Sequence, residues 1–410
     1  MTISTAFNLS ITLALAVAPP PQSTGTGNVY YVAKTGKDSY SCAQAQSQST
    51  PKLTINGGLS CLSGGDTLLI RAGTYTEIVS SGVGTNMPSG LSWANPTTIA
   101  SYPLNCSKGT LYGPGPSCEV VIIQPPPGSP ENPFGIKGAI QYLIVDGIIV
   151  DGTNSPAGVN LVRYDGNPPA VPHFTRLINN EFRNAGCVII SVGGVGNSDH
   201  EFSHNKIHGD RNYFDPKYAP QGCHGIYQSE ADSVIDSNEI YDMSGWGIHI
   251  YSQASSIADN NVVRNNYVHD NAHVGILLGS GHGNIGYNNI VTRNGLGIQL
   301  GFSTINPLVY NNTVVGNGAC IEVGTASAGS IIKNNICWQN QNSDTIVDYG
   351  SGTIQSNNLI GIDPKFVNSA VDDFRLQSGS PAIGAGTSSI ATGIMIPFNG
   401  SAPDIGALEY

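Results

Sequence analysis

Asn288-Asn289-Ile290-Val291-Thr292, followed shortly by Gly297-Ile298-Gln299-Leu300, is one unit of a pattern that the chain repeats. The last Asn of each unit falls at Asn238, Asn266, Asn289, Asn312, Asn335 and Asn358, at separations of 28, 23, 23, 23 and 23 residues. A period in the low twenties is that of a solenoid. Two residues after the Asn stand Ile240, Val268, Val291, Val314, Cys337 and Ile360, all apolar, which places them on an inward face. A second short apolar strand recurs as Gly-Ile-His-Ile from Gly247, Gly-Ile-Leu-Leu from Gly275, Gly-Ile-Gln-Leu from Gly297 and Cys-Ile-Glu-Val from Cys320. Two alternating strands per turn, bounded by Gly and Asn, predict a parallel β-helix. Leucine-rich repeats share the period, but their Leu framework is missing. Asn suits the bend because it tolerates left-handed backbone angles while its amide bonds to the Asn one coil away. The fold class expected is therefore all-β, a single-stranded parallel β-helix. Its open ends would expose unpaired strand edges and need terminal caps.

The composition agrees with this reading. In 410 residues, 40% hydrophobic and 11% charged content allows a large core, and 51 Gly with 25 Pro favour turns over long helices. The net charge of −11 and the lack of any basic run exclude nucleic acid as a partner. Residues 8–18 form an apolar run ending in Ala16-Val17-Ala18, which reads as a secretory signal peptide and is too short to span a membrane. Pro19 to Gly27 reads as a linker. A secreted location, extracellular or periplasmic, is also what eight cysteines suggest. Cys187 and Cys223 hold equivalent positions in successive coils, about 4.8 Å apart, within disulfide reach. Cys42 with Cys61 and Cys106 with Cys118 would close local loops. Cys337 stands in the inward column and is expected as a buried thiol, with Cys320 at a different coil position.

Near the start, Val29-Tyr30-Tyr31-Val32-Ala33-Lys34-Thr35-Gly36-Lys37-Asp38-Ser39, Pro51, and Gly64-Gly65-Asp66-Thr67-Leu68-Leu69-Ile70-Arg71-Ala72-Gly73-Thr74-Tyr75 form one recognisable set. Near the end, Asp363-Pro364-Lys365-Phe366, Asp373-Phe374-Arg375-Leu376, Gly379-Ser380-Pro381-Ala382-Ile383 and Asp404-Ile405-Gly406-Ala407 form another. Both resemble the opening and closing segments of secreted right-handed parallel β-helix proteins of the pectate-lyase-like class. The resemblance implies a cap at 28–64, a right-handed β-helix over 65–360 and a closing segment at 361–410. That class holds polysaccharide lyases, uronate epimerases, glycoside hydrolases and proteins with no known activity, so it implies architecture far more than reaction.

All nine histidines fall between His173 and His282. In the repeat frame, the outward position three after the Asn carries Arg183, His208, Tyr241 and His269, then Thr292, Val315 and Trp338. The outward position of the second strand carries Tyr227, His249, Leu277, Gln299 and Glu322. Coils stacked in register would gather these imidazoles, phenols and guanidinium on one face. The coil between Asn205 and Asn238 is about ten residues longer than those after it. Its excess, from Asp210 and Arg211 through Tyr213 to Tyr218, is expected to overhang the second strand as an aromatic and charged wall.

Tyr213-Phe214-Asp215-Pro216 resembles a Tyr-Gly-x-Asp-Pro-His run of mannuronan epimerases, with Lys217 where the His would be. His224-Gly225-Ile226 resembles a Gly-His-Gly-Ile segment of polygalacturonases, without their paired aspartates. No zinc spacing is present, whereas calcium held by aspartates of different coils is compatible with the pattern.

The chemistry that fits is proton abstraction beside a uronate carboxylate, which needs a base, a cation to quiet the enolate and an acid for the leaving oxygen. The expected function is a lyase on a uronate-containing polysaccharide. His224 or His249 would be base, Tyr227 acid, and Arg211 or Arg183 the neutraliser, with His208, Tyr213, Tyr241, His269 and His273 also binding substrate. The alternatives are a non-catalytic carbohydrate-binding protein on the same face, or a uronate C5-epimerase. An acidic polysaccharide or other glycan is the expected partner of a monomeric chain. Tyr227 is expected to be the closer neighbour of His249, and both to be exposed.

Overall fold

The computed structural model describes residues 27–81, 87–106, 112–210, 223–253 and 257–410. The expected signal peptide, Arg211, Tyr213 and nearly all of the long-coil loop lie outside these residues. Three long parallel sheets wrap one core, with 12 strands in sheet 1, 11 in sheet 2 and 10 in sheet 3. Among the described residues, the α-helices are two short turns, Cys42–Ala45 and Ile55–Leu59, near the N-terminal end. The chain visits sheets 1, 2 and 3 in turn, so each coil has three strands rather than the two expected from the sequence. The added strand, such as Val262–Arg264 or Ile285–Tyr287, stands directly before the Asn pair and belongs to sheet 1.

Each Asn pair divides its labour between two residues. The first residue at the corner takes the left-handed backbone, with φ of 55° at Asn265, 53° at Asn288, 51° at Asn311 and 58° at Asn334. The second makes the ladder. Asn289 donates from its amide to Asn312 Oδ1 at 3.0 Å and to the Val263 carbonyl at 2.9 Å. Its own Oδ1 accepts from the Asn266 backbone and side chain, both at 3.0 Å. The same bonds run from Asn180 through Asn205, Asn238, Asn266, Asn289, Asn312 and Asn335 to Asn358. A second ladder not read from the sequence, Asn271, Asn294, Asn317 and Asn340, holds the corner between sheets 2 and 3 and ends on Asp344.

The inward column of sheet 2 is as expected, with Val268, Val291, Val314 and Cys337 in successive pairing and fully buried. Three disulfides also match the sequence reading, Cys42 with Cys61, Cys106 with Cys118, and Cys187 with Cys223. The expectation for Cys337 is overturned, because it is bonded to Cys320. The reason lies in how sheets 2 and 3 face each other. A Cβ on Gly247, Gly275 or Gly297 would meet the inward Val268, Val291 or Val314 at 2.3 to 2.7 Å. Cys320 continues that glycine column and Cys337 the valine column, so the two sulfurs meet where glycine and valine meet in earlier coils.

The C-terminal segment folds back on two faces. Ile390 and Ile394 pack with Ile285, Leu308 and Tyr310 of sheet 1, while Phe366, Phe374 and Leu376 pack with Ile336 and Leu359 of sheet 2. The ladder accounts for much of the register. Asn289→Ala strands the buried Val263 carbonyl and the two Asn266 N–H donors, so an equilibrium denaturation titration should show a loss of about 2–4 kcal/mol. The loss should be smaller for Asn358→Ala, at the partly buried end of the ladder.

Candidate functional site

The two rows read from the sequence exist in the predicted register but lie on two different faces. On sheet 2, Arg183, His208, Tyr241, His269, Thr292, Val315 and Trp338 pair one after another. On sheet 3, Tyr227, His249, Leu277, Gln299 and Glu322 do the same. The single face expected for all of them is thus two faces joined by a corner.

The face of sheet 2 satisfies its own charges. Arg183 donates to Asp151 and Glu181, both at 2.9 Å. His208 Nε2 lies 3.1 Å from Glu181, and Lys206 lies 3.7 Å from Glu239. The Tyr241 ring lies between the parallel imidazoles of His208 and His269, at 4.8 and 4.9 Å. His269 itself is held by Asp270 at 2.7 Å. At the neighbouring corner, Arg293 is fastened by Asp270 and by Asp372 of the C-terminal segment, with Tyr267 also donating to Asp372. Each arginine in the described residues lies within 4.0 Å of a carboxylate.

Sheet 3 carries a different kind of surface. His224 and His249 have ring centroids 4.4 Å apart, and Tyr227 lies 5.0 Å from His249. His224 is therefore the closer neighbour, contrary to expectation, because its side chain leans across the strand toward the next coil. Trp246, which the sequence reading passed over, stacks on His249 at 5.0 Å, and Tyr251 flanks the other side at 5.4 Å with its ring nearly parallel. The exposed His273 stacks on Trp246 at 5.4 Å. Trp246 was legible in principle, since it stands two residues before Ile248 as His224 stands before Ile226.

This packing corrects the expected exposure of His249, whose residue exposure is only 7%. Both of its ring nitrogens and Trp246 Nε1 are buried without a protein hydrogen-bond partner. His224 Nδ1 accepts from the Trp246 backbone at 3.4 Å. Burial, reinforced by His224, lowers the His249 pKa to about 2. Burial, with a smaller contribution from His273, lowers that of His224 to about 3. Tyr227 is half-buried, and burial raises its pKa. Among the described residues, no group of three or more His, Cys, Asp or Glu is placed to hold a metal ion, and no helix is long and apolar enough to cross a membrane.

A family model described as a right-handed beta helix region matches residues 188–360. The chain folds as a right-handed parallel β-helix. This β-helix is similar to pectate lyase Pel9A, with 16% identity and a TM-score of 0.54 over 93% of this chain and 96% of that one. It is also similar to XylC solved in complex with xylose, with 13% identity and a TM-score of 0.52 over 83% and 87% of the two chains. At these identities the likeness extends to the fold alone. No curated protein matches the β-helix in sequence.

The depressed imidazole pKa values carry a pH dependence. Unfolded histidine titrates near 6.5, so below that pH the unfolded chain binds protons that folded His224 and His249 refuse. Stability therefore falls as pH drops from about 6.5 toward 3, by up to about 1.4 kcal/mol per unit for each ring. Thermal melts at pH 7, 5.5 and 4 should show this fall, and it should be shallower in His249→Phe.

Proposed function

We propose that the protein engages a polysaccharide on the outer face of sheet 3, with Tyr227 and Trp246 at the centre of the contact surface and the buried His224 and His249 packed beneath them. The observation that carries the reading is the ring cluster itself. Four rings from two adjacent coils form a connected cluster, with His224 and His249 each 4.4 to 5.5 Å from the other three. Sugars present apolar C–H faces edged by hydroxyls, which suits the half-buried rings of Tyr227 and Trp246, held in place by the buried imidazoles beneath them. Two solved neighbours, a pectate lyase and a protein complexed with xylose, accord with a polysaccharide ligand.

Recognition, rather than elimination, is what the electrostatics support. Imidazoles with pKa values of about 2 and 3 are several units below the match that proton abstraction near neutrality requires. The described arginines are already paired with carboxylates, which leaves the quieting of a uronate to Arg211. The lyase reading stands second, favoured by the half-buried Tyr227 phenol stacked beside His224. In that reading His224 takes the proton from C5, Tyr227 protonates the leaving oxygen and Arg211 neutralises the carboxylate. A second donor on the opposite face of the sugar would turn the same set into an epimerase.

Affinity electrophoresis through gels containing pectin, alginate, glycosaminoglycans or neutral polysaccharides, paired with the absorbance of 4,5-unsaturated uronates, separates these readings. Retardation without absorbance is expected, with and without calcium. Tyr227→Ala and Trp246→Ala should each weaken binding about tenfold. A sustained absorbance rise that Tyr227→Phe abolishes would put the lyase in place of the binding protein. Free migration in every gel, with no absorbance, would remove both.

A further inference from the structure

One step along sheet 3 from the ring cluster, the surface changes to glycine. The pairing runs Ile250, Leu278, Leu300, Val323 and Asp348, and the residues that follow these are Tyr251, Gly279, Gly301, Gly324 and Tyr349. Three coils in succession thus lack a side chain at this position, between two tyrosines. The glycines are in close approach, since a Cβ on Gly324 would stand 3.4 Å from the Gly301 Cα. Four coil steps of about 4.8 Å place the two tyrosine backbones about 19 Å apart along the stacking axis.

Phe302 stands in this column because the register shifts there. Leu278 pairs with Leu300 but Ser280 pairs with Ser303, so Phe302 is the extra residue of a β-bulge. Its φ is 54°, a left-handed backbone that a bulky side chain adopts only when its surroundings impose it. With no side chain at Gly279, the Phe302 ring reaches Tyr251 two coils away, at 4.8 Å, yet the residue remains 53% exposed. Tyr349, at the far end, is 61% exposed. Beside the shelf, on the adjoining outward row, Gln299 donates to Glu322 at 2.8 Å. Exposed rings, a low floor in which Gly301 is buried beside Leu277 and Gly324 is partly exposed, and a planar amide and carboxylate pair are complementary to a ligand with apolar faces and many hydroxyls. Glu322 and the exposed Asp348 disfavour an anionic chain.

We propose that the shelf of Gly301 and Gly324, bounded by Phe302 and Tyr349, is a binding subsite for an uncharged linear polysaccharide lying along the coil-stacking axis. The proposal rests on the reading of sheet 3 as a sugar-contact face and narrows it to a neutral substrate class. The shelf is continuous with that face through the stack of Tyr251 on His249.

The test is affinity electrophoresis and calorimetry with xylan, galactomannan and mixed-linkage glucan against polygalacturonate and alginate. The wild-type protein should bind at least one neutral polysaccharide. Phe302→Ala and Tyr349→Ala should each weaken that binding tenfold or more, Phe302→Tyr should retain it, and Gly324→Leu should block it. Far-ultraviolet circular dichroism and melting curves confirm that each variant is folded, and Tyr349→Ala tests the shelf without touching the bulge. Neutral binding that Trp246→Ala removes and the shelf variants leave intact would overturn the shelf while sparing the sheet 3 reading. Binding confined to the acidic polysaccharides would overturn the neutral class, and absence of all binding would overturn both proposals. Concentration-dependent self-association abolished by Phe302→Ala, seen by sedimentation in the absence of neutral-glycan binding, would assign the patch to a second copy of the chain and overturn the subsite.

Discussion

The asparagine side chain that bonds to the coils on either side of it is the constraint from which the rest of the β-helix follows. A ladder residue such as Asn289 is fully buried and satisfies backbone groups at a corner where the strands cannot. Its amide reaches its counterpart only when the two coils are in register, so the ladder converts a chain of variable coil length into columns of fixed alignment. The residues before it, Asn265, Asn288 and Asn311, bear the left-handed turn, which spares the ladder residue any backbone demand. Coils can then lengthen away from the corner without disturbing the columns. The 33-residue step from Asn205 to Asn238 bonds across the ladder as well as the 23-residue steps do.

Because register is local and periodic, most of the architecture could be read from residues. Val268, Val291 and Val314 in one buried column, and Tyr227 beside His249, follow from counting. The third strand escaped because it is only three residues long and abuts the Asn pair, as in Val262-Val263-Arg264, too short to show its own alternation. The bond between Cys320 and Cys337 escaped for another reason: counting aligns residues within a sheet but does not say which inward positions of two sheets meet. That fact resides in the close approach of Gly247 to Val268 and of Gly275 to Val291.

The candidate site was legible in its membership and illegible in its burial. Counting brings His224, Tyr227 and His249 together, and it separates Arg183, His208, Tyr241 and His269 only once sheets 2 and 3 are known to face different ways. How deeply a ring lies depends on what leans over it. Trp246 and Tyr251 close on His249 from either side, and neither contact is a matter of register alone. Proton affinity follows burial, so the low basicity of His249 has a cause invisible in the repeat.

The two outer faces show how differently one scaffold can spend its polar groups. On sheet 2 the carboxylates of Asp151, Glu181 and Glu239 are matched by Arg183, His208 and Lys206, and such a face has few unmet hydrogen-bonding needs. On sheet 3, the nitrogens of Trp246 and His249 are buried without protein partners, each at a cost of about 1–3 kcal/mol. A solenoid tolerates that cost because its stability is close to a sum over coils and their nearest neighbours. The ladders and inward columns on either side hold the expensive coil in place. Among the described residues, the coil carrying Trp246 and His249 holds three of the nine buried side-chain polar atoms without a partner, a concentration that no neighbouring coil needs for its own register.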